Sequence, residues 1–270
     1  MSIKLLVGCD PEVFMSKDGQ FVSAHGAIPG TKKDPFKVNK GAVQVDGMAL
    51  EFNIDPASNA EEFVSNLTAV MTTLKEMVPG YELNAVPVAE FSEEVMKVQP
   101  LEAIELGCEP DFNAWKNGEP NPRPNGAATF RTGAGHVHIG WGNDFDINDP
   151  DHLEACIMLT KQLDFYLGIG SLLYDTDTKR RTLYGAEGAF RPKSYGVEYR
   201  VLSNAWLRSE ELMAWVFNTV QQAFNDLVEG KRAYEKFNTG YAKMISSKRP
   251  SKADAKYLLI SLGIPLPPTK

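Results

Sequence analysis

Cysteine is scarce in this chain, with Cys9, Cys108 and Cys156 the only three among 270 residues. An odd number without metal-finger spacing excludes a disulfide framework, and reduced intracellular thiols are the natural expectation. Long apolar runs are lacking too. No segment approaches the roughly 18 continuous apolar residues of a membrane span. The opening MSIKLLVGCDPE has too short an apolar run for a signal peptide. Positive charge is not in excess: 28 Lys and Arg against 35 Asp and Glu leave a net charge of −7. That balance disfavours a phosphate-backbone binder, which needs a basic stripe, and the basic runs at Lys179–Arg181 and Ser246–Lys252 are short. Neither nucleic acid as main partner nor membrane is expected, and the expected location is the cytoplasm. Repeats of solenoid period are absent.

What is present suits a globular protein. A chain with 43% hydrophobic and 23% charged residues buries a sizeable core without disulfide support. Lys4–Met15 followed by Ser16–Gly19 and Gln20–Ala24 reads as a hairpin. Ala42–Ile54 reads as strand material broken near Gly47, and Tyr81–Val88, Glu102–Leu106 and Ala127–Trp141 as further strands. Thr182–Leu202 holds two strands around Gly188–Ser194. Helices are predicted after Ser58 or Asn59, from Asn148–Pro150 to about Tyr174, after Ser209, and over Ser251–Leu262. The stripes Phe63, Leu67, Val70, Leu74, Met77 and Leu212, Val216, Val220, Phe224, Leu227 are core faces at helical spacing. The rhythm is not βαβ. The expected class is α+β, a mainly antiparallel sheet with helices packed on one face. The expected division is one large domain over 1–230 with a helical appendage over 231–270.

Four strand-like segments carry the chemistry: Gly8-Cys9-Asp10-Pro11-Glu12, Leu50-Glu51-Phe52-Asn53, His136-Val137-His138-Ile139-Gly140 and Gly196-Val197-Glu198-Tyr199-Arg200. Side chains two apart point to the same side of a strand. Asp10 with Glu12, His136 with His138, and Glu198 with Arg200 therefore each share a face. The intervening Leu50, Phe52, Ile54, Val137, Ile139, Trp141, Val197, Tyr199 and Val201 form the opposite, apolar face. An antiparallel sheet often turns one polar face to water. A solvated face, however, mixes in Lys, Thr, Ser and Gln, whereas this one holds Asp, Glu, His and Arg. Gly8, Gly140 and Gly196 beside them leave room for a ligand. Were the segments neighbours, their carboxylates would need neutralising, and a divalent cation does that most simply. Oxygen-rich sites with few imidazoles suit Mg²⁺ or Mn²⁺. Arg131, Arg181, Arg191 and Arg200, close in sequence to these strands, fit phosphoryl transfer beside such a metal.

In this order the segments resemble the glutamine synthetase-like carboxylate–amine ligases, which include the glutamate–cysteine ligases. The likeness is nearest to the bacteriophage-type amidoligases and spans roughly Lys4 to Trp206. GCDPEVF is similar to the opening acidic strand, with Asp10 where relatives often carry Glu. DGMALEFNIDP resembles the second carboxylate strand, RTGAGHVHIGW the His-x-His strand, and YGAEGAFRPKSYGVEYRVLSN the closing Glu-x-Arg strand. The resemblance implies a curved antiparallel sheet over a catalytic domain of residues 1–230, binding ATP and Mg²⁺ (or Mn²⁺). It implies transfer of the γ-phosphoryl group to a carboxylate and attack of an amine on the acyl phosphate. By resemblance, Glu12 and Glu51 hold one metal, with Asp46 a weaker candidate, and Asp10, His138 and Glu198 hold another. Arg200 and Arg191 contact the transferring phosphate, with Glu198 part of the catalytic set and Arg181 and Arg131 as helpers in nucleotide binding. His136 orients substrate or supports a ligand. The shorter Asp10 lets that ligand act through water.

Nothing in the spacing supplies the nucleotide: there is no GxxxxGK[ST] loop and no GxGxxG after a strand. ATP enters through the resemblance alone. Cys9 and Cys108 both sit in Gly-Cys-acid-Pro-acid contexts, where inert thiols are the commoner outcome. Glu109 and Asp111 are candidates for binding an amine-bearing substrate. The acid and amine partners, small molecules or peptides, and the oligomeric state are not specified. Two other readings compete. One is an Fe or Zn oxygenase or hydrolase on the His-x-His strand, which would need Asp144 as its nearby carboxylate. The other is a binding protein that keeps the fold without catalysis.

Overall fold

The computed structural model describes residues 4–104, 111–122 and 129–268. The first half of the chain forms β1 (Leu6–Cys9), β2 (Glu12–Lys17), β3 (Gln20–Val22), β4 (Phe36–Val38), β5 (Gly41–Asp46), β6 (Ala49–Ile54), β7 (Glu82–Asn84) and β8 (Val88–Glu90). The second half adds β9 (Phe112–Asn113), β10 (Glu119–Pro120), β11 (Phe130–Thr132), β12 (Val137–Gly140), β13 (Ala189–Lys193) and β14 (Gly196–Tyr199). The helices are α1 (Ala60–Met77), α2 (Glu93–Lys97), α3 (Leu101–Ile104), α4 (Pro150–Leu163), α5 (Ile169–Ser171), α6 (Glu210–Val228), α7 (Ala233–Lys236) and α8 (Lys252–Ser261).

Local chemistry sets most of these elements. The β2–β3 turn holds Asp18 and Gly19 both at positive φ, 50° and 76°, the backbone of a type I′ hairpin. Asn59 caps α1 by accepting from Glu62 N at 2.9 Å, while the Glu62 carboxylate accepts from Ser58 N at 2.8 Å. Ser209 caps α6 through Leu212 N. The helical run begun at Pro150 continues through a π-helical turn, Asp164–Gly168, into α5. Glu102 lies in α3 rather than in a strand. A short apolar run cannot be told from helix by periodicity alone.

All pairings between named strands are antiparallel, as expected. The expectation of a single sheet is corrected. One six-stranded sheet runs β1-β12-β14-β13-β9-β10, a second runs β3-β2-β6-β5-β4, and β8 pairs with β11 apart from both. The chain crosses from the first sheet to the second at Asp10-Pro11. Proline cannot donate to a ladder, so it suits a strand break. The crossing is held by Asp10 N to His136 O at 3.4 Å and Phe52 N to Pro11 O at 3.1 Å.

The apolar face is where the alternation placed it: Leu50, Phe52, Val137, Ile139, Val197 and Tyr199 are wholly buried. Helix α1 lies on β5 and β6, and α4 on β13 and β14. Each large side chain buried this way contributes roughly 1.5–3 kcal/mol. Asp164, at the π-turn, accepts from Trp115 Nε1 at 2.6 Å, Gly188 N at 2.7 Å and Tyr199 Oη at 2.8 Å, tying the helix layer to the back of β14. Residues beyond 230 join the same core through Ile245, Leu258, Leu259 and Ile264. No helix among the described residues is long and apolar enough to cross a membrane.

Candidate active site

The polar segments meet on the face opposite the helices. Register places Gly8 and Glu198 on either side of His138, and Glu12 against Glu51. Although two residues apart, Asp10 and Glu12 serve different sheets because the chain crosses between them. Asp10 turns to the imidazoles: its Oδ1 lies 3.0 Å from His138 Nε2 and 3.4 Å from His136 Nδ1. Glu12 turns to the second sheet and accepts from Ala134 N at 2.8 Å.

The first cluster consists of Asp10, His136, His138, Glu198, Arg200 and Arg191. Glu198 is fully buried and surrounded by cations. Arg200 pairs with its Oε1, while Lys193 Nζ lies 2.8 Å and Arg191 Nη1 3.3 Å from its Oε2. Burial and Asp10 push the Glu198 carboxyl up, but Arg200, His138 and His136 outweigh them and hold it at about 2. Asp10 is likewise pushed up by burial yet held well below the usual carboxylate range by the two histidines. Burial lowers His138, but Asp10 more than reverses this and raises it. Burial and Arg200 push His136 down to about 4. Arg200 also reaches Asp111 at 3.4 Å and His136 at 3.4 Å.

The second cluster is Glu12, Glu51 and Asp46. Gln44 donates to Glu51 at 2.7 Å, and Lys32 pairs with Asp46 at 2.5 Å. Counter-charge is thin here. Burial and Asp46 push Glu12 up to about 7, and burial with Asp10, Glu12 and Asp46 pushes Glu51 well above the carboxylate range.

Asp10, His138 and Glu198 each aim one ligand atom so that all three atoms lie within 4.8 Å of one another. Asp10 Oδ1 and His138 Nε2 face each other 3.0 Å apart. Such facing of an anionic oxygen and an imidazole nitrogen suits a shared cation. Glu12, Glu51 and Asp46 offer a second set of oxygen donors.

Two cavities flank this ridge. The larger, about 740 Å³, is walled by Leu6, Phe52, Ile54 and Trp141 and reaches Asp10, Glu51 and His138. The smaller, about 320 Å³, is lined by Glu12, Asp46, His136, Arg131, Arg180 and Arg200, with Lys32 at the edge of both. Gly8 and Gly140 line the larger cavity and leave it room. Gly196 does not: a Cβ there would lie 2.1 Å from Ile139 O, so close packing explains that glycine.

Several expected residues stand elsewhere. Arg181 is buried in a pair with Asp175 at 3.1 Å and lines neither cavity, whereas its neighbour Arg180 does. Arg180 braces the end of β14 by donating to Val201 O at 2.7 Å and Arg200 O at 3.3 Å. Arg131 lines the smaller cavity while donating to Phe130 O and Ile104 O, both at 2.7 Å. Glu109 and Cys108 lie outside the described residues. Asp144, required by the Fe or Zn reading, is exposed in a turn, and the carboxylate that meets both histidines is Asp10. Arg200 Nη1 lies 3.4 Å from His136 Nδ1. The Cys9 thiol is pushed up by burial and by Asp10, which disfavours a thiolate nucleophile. Sequence reasoning passed over Arg180, Lys193 and Tyr195. Only the last two carried a usable signal, Lys193 ending the first strand of the Glu-x-Arg hairpin and Tyr195 lying in its turn.

No curated protein matches this chain. Among solved structures, it is similar to a bifunctional glutathione synthetase from Pasteurella multocida at 11% identity and a TM-score of 0.43, over 97% of this chain and 45% of that one. The chain thus spans less than half the length of that protein. Residues 127–237 match the family described as "Phage phiEco32-like COOH.NH2 ligase-type 2". That stretch carries both the His-x-His and the Glu-x-Arg strands, so the similarity covers part of the chain and two of the four polar segments.

Proposed function

We propose that the protein joins a carboxylate to an amine at the expense of ATP, with Mg²⁺ or Mn²⁺ and through an acyl phosphate. The observation that carries this reading is the meeting of two unlike cavities on one ridge of carboxylate, imidazole and guanidinium. The larger cavity, with Trp141, Phe52 and Ile54 in its wall, suits the planar apolar part of a nucleotide. The smaller one, with Arg131, Arg180 and Arg200, suits the acid. Phosphate oxygens would then lie over the ridge between them.

Asp10, His138 and Glu198 would hold one divalent ion, and Glu12 and Glu51, aided by Asp46, a second. Such ions, when bound, would supply positive charge that offsets the charge of the transferring group. The protein side chains do the rest. Arg200 and Arg191, already drawn to Glu198, stand ready to donate to the transferring phosphoryl oxygens. His136, held neutral by burial and Arg200, orients Arg200 rather than competing for charge. The absence of a glycine-rich phosphate loop is consistent with phosphates being held by side chains and metal rather than by backbone N–H groups. A curved, glutamine synthetase-like sheet is the architecture that this reading implies.

ADP release measured with Mg²⁺, pooled amino acids and polyamines tests the proposal. Glu198→Gln is expected to lower turnover about a thousandfold or more, by analogy with the loss of an essential electrostatic group. Turnover undiminished in both Glu198→Gln and Glu12→Gln would overturn the site.

A further inference from the structure

Tyr195 sits in the turn between β13 and β14. Its backbone oxygen accepts from Trp141 N at 3.0 Å and Gly142 N at 3.4 Å, which pins the turn against the exit of β12. Its phenol oxygen meets His138 Nδ1. The two rings lie with centroids 6.0 Å apart, tilted by 35°. The other nitrogen of the same imidazole, Nε2, faces Asp10 at 3.0 Å.

A neutral imidazole carries one N–H, and the partner at one nitrogen decides which nitrogen keeps a lone pair. With the proton on Nδ1, the Tyr195 oxygen accepts it, and the Nε2 lone pair turns toward Asp10 and Glu198. With the proton on Nε2, that lone pair is lost to a hydrogen bond with Asp10. We propose that Tyr195 is a positioning residue: its phenol oxygen accepts the Nδ1 proton of His138 and so presents Nε2 as the metal-binding atom beside Asp10 and Glu198. This rests on the metal site of the function proposed above. The phenol proton is then left for an acceptor in the larger cavity, which Tyr195 also lines.

The full chain with Mn²⁺ alone, without nucleotide, provides the test. Wild type is expected to bind Mn²⁺ with a ¹⁴N coupling in pulsed EPR that disappears in His138→Gln. Tyr195→Phe, which keeps the ring and removes only the oxygen, should bind about ten- to hundredfold more weakly, with that coupling reduced and the thermal midpoint little changed. A second readout needs no variant: long-range ¹H–¹⁵N spectra of the Mg²⁺-loaded wild type should place the His138 proton on Nδ1. A proton on Nε2, or unchanged Mn²⁺ affinity and coupling in Tyr195→Phe, would overturn the role of Tyr195. Mn²⁺ bound to wild type without ¹⁴N coupling would also overturn it while leaving the ligase reading in place. No Mn²⁺ binding at all would remove the metal site and this inference together.

Discussion

The two acid clusters on the ridge use the same residue types and reach opposite electrostatic states. Asp10 is held below the carboxylate range by His138 and His136, and Glu198, on the first sheet, by Arg200, His138 and His136. Glu12 and Glu51, on the second, are pushed above it by burial and by the acids beside them. The first cluster carries its own counter-charge and is ordered without help. The second lowers its charge by holding on to protons. A shared sheet face therefore does not mean a shared charge state. What decides is how many cations the neighbouring strands bring within a few ångströms.

Breaking the first cluster should cost most. Arg200→Ala removes the guanidinium that Glu198, Asp111 and His136 share, leaving buried Glu198 short of counter-charge. A loss of about 3–5 kcal/mol in urea unfolding at pH 7 is expected. A loss under about 1 kcal/mol would mean that Arg191 and Lys193 suffice and that the contrast is overdrawn.

The second cluster should respond in the opposite direction. Glu12 has a folded value of about 7, raised from 4.5, so its favourable contribution is complete below about pH 4.5 and is lost as pH climbs through 7. Without metal, Glu12→Gln should therefore stabilise the protein by about 1–3 kcal/mol at pH 8 and hardly at all near pH 4.5. Thermal unfolding at the two pH values checks this, and equal effects at both would refute it. Added Mg²⁺ should raise the midpoint of wild type more at pH 8 than at pH 6, and that difference should shrink in Glu12→Gln.

The smallest effect belongs to the rim. Lys32 is half-exposed and pairs with Asp46, so Lys32→Gln should cost less than about 1 kcal/mol and lose even that in high salt. A larger, salt-resistant loss would assign the second cluster more built-in counter-charge than it is credited with.

Much of this arrangement was legible in the sequence. Period-two alternation identified β6, β12 and β14 and their apolar faces, and the caps at Asn59 and Ser209 placed α1 and α6. What escaped was long-range geometry. Nothing local says that Pro11 sends Asp10 and Glu12 to different sheets. Arg180 and Arg181 are adjacent and alike, yet a single 3₁₀ turn aims one at the smaller cavity and the other at buried Asp175. The helical state of Glu102 is equally invisible, since too few residues are involved for a period to register.

Alternation of side chains is a property of the chain itself, so which groups share a face within β6, β12 and β14, and which face is apolar, was decided by sequence, whereas the expected pairing of Asp10 with Glu12 on one face was undone by the crossing between sheets. The charge state of each carboxylate was not decided by sequence. It depends on through-space distances to residues as far away as His138 from Asp10 or Arg200 from Asp111, and only the pairing of strands from opposite ends of the chain sets those distances. The register that sets His138 against Glu198, and the hairpin that swings Tyr195 onto the same imidazole, belong to the tertiary structure alone.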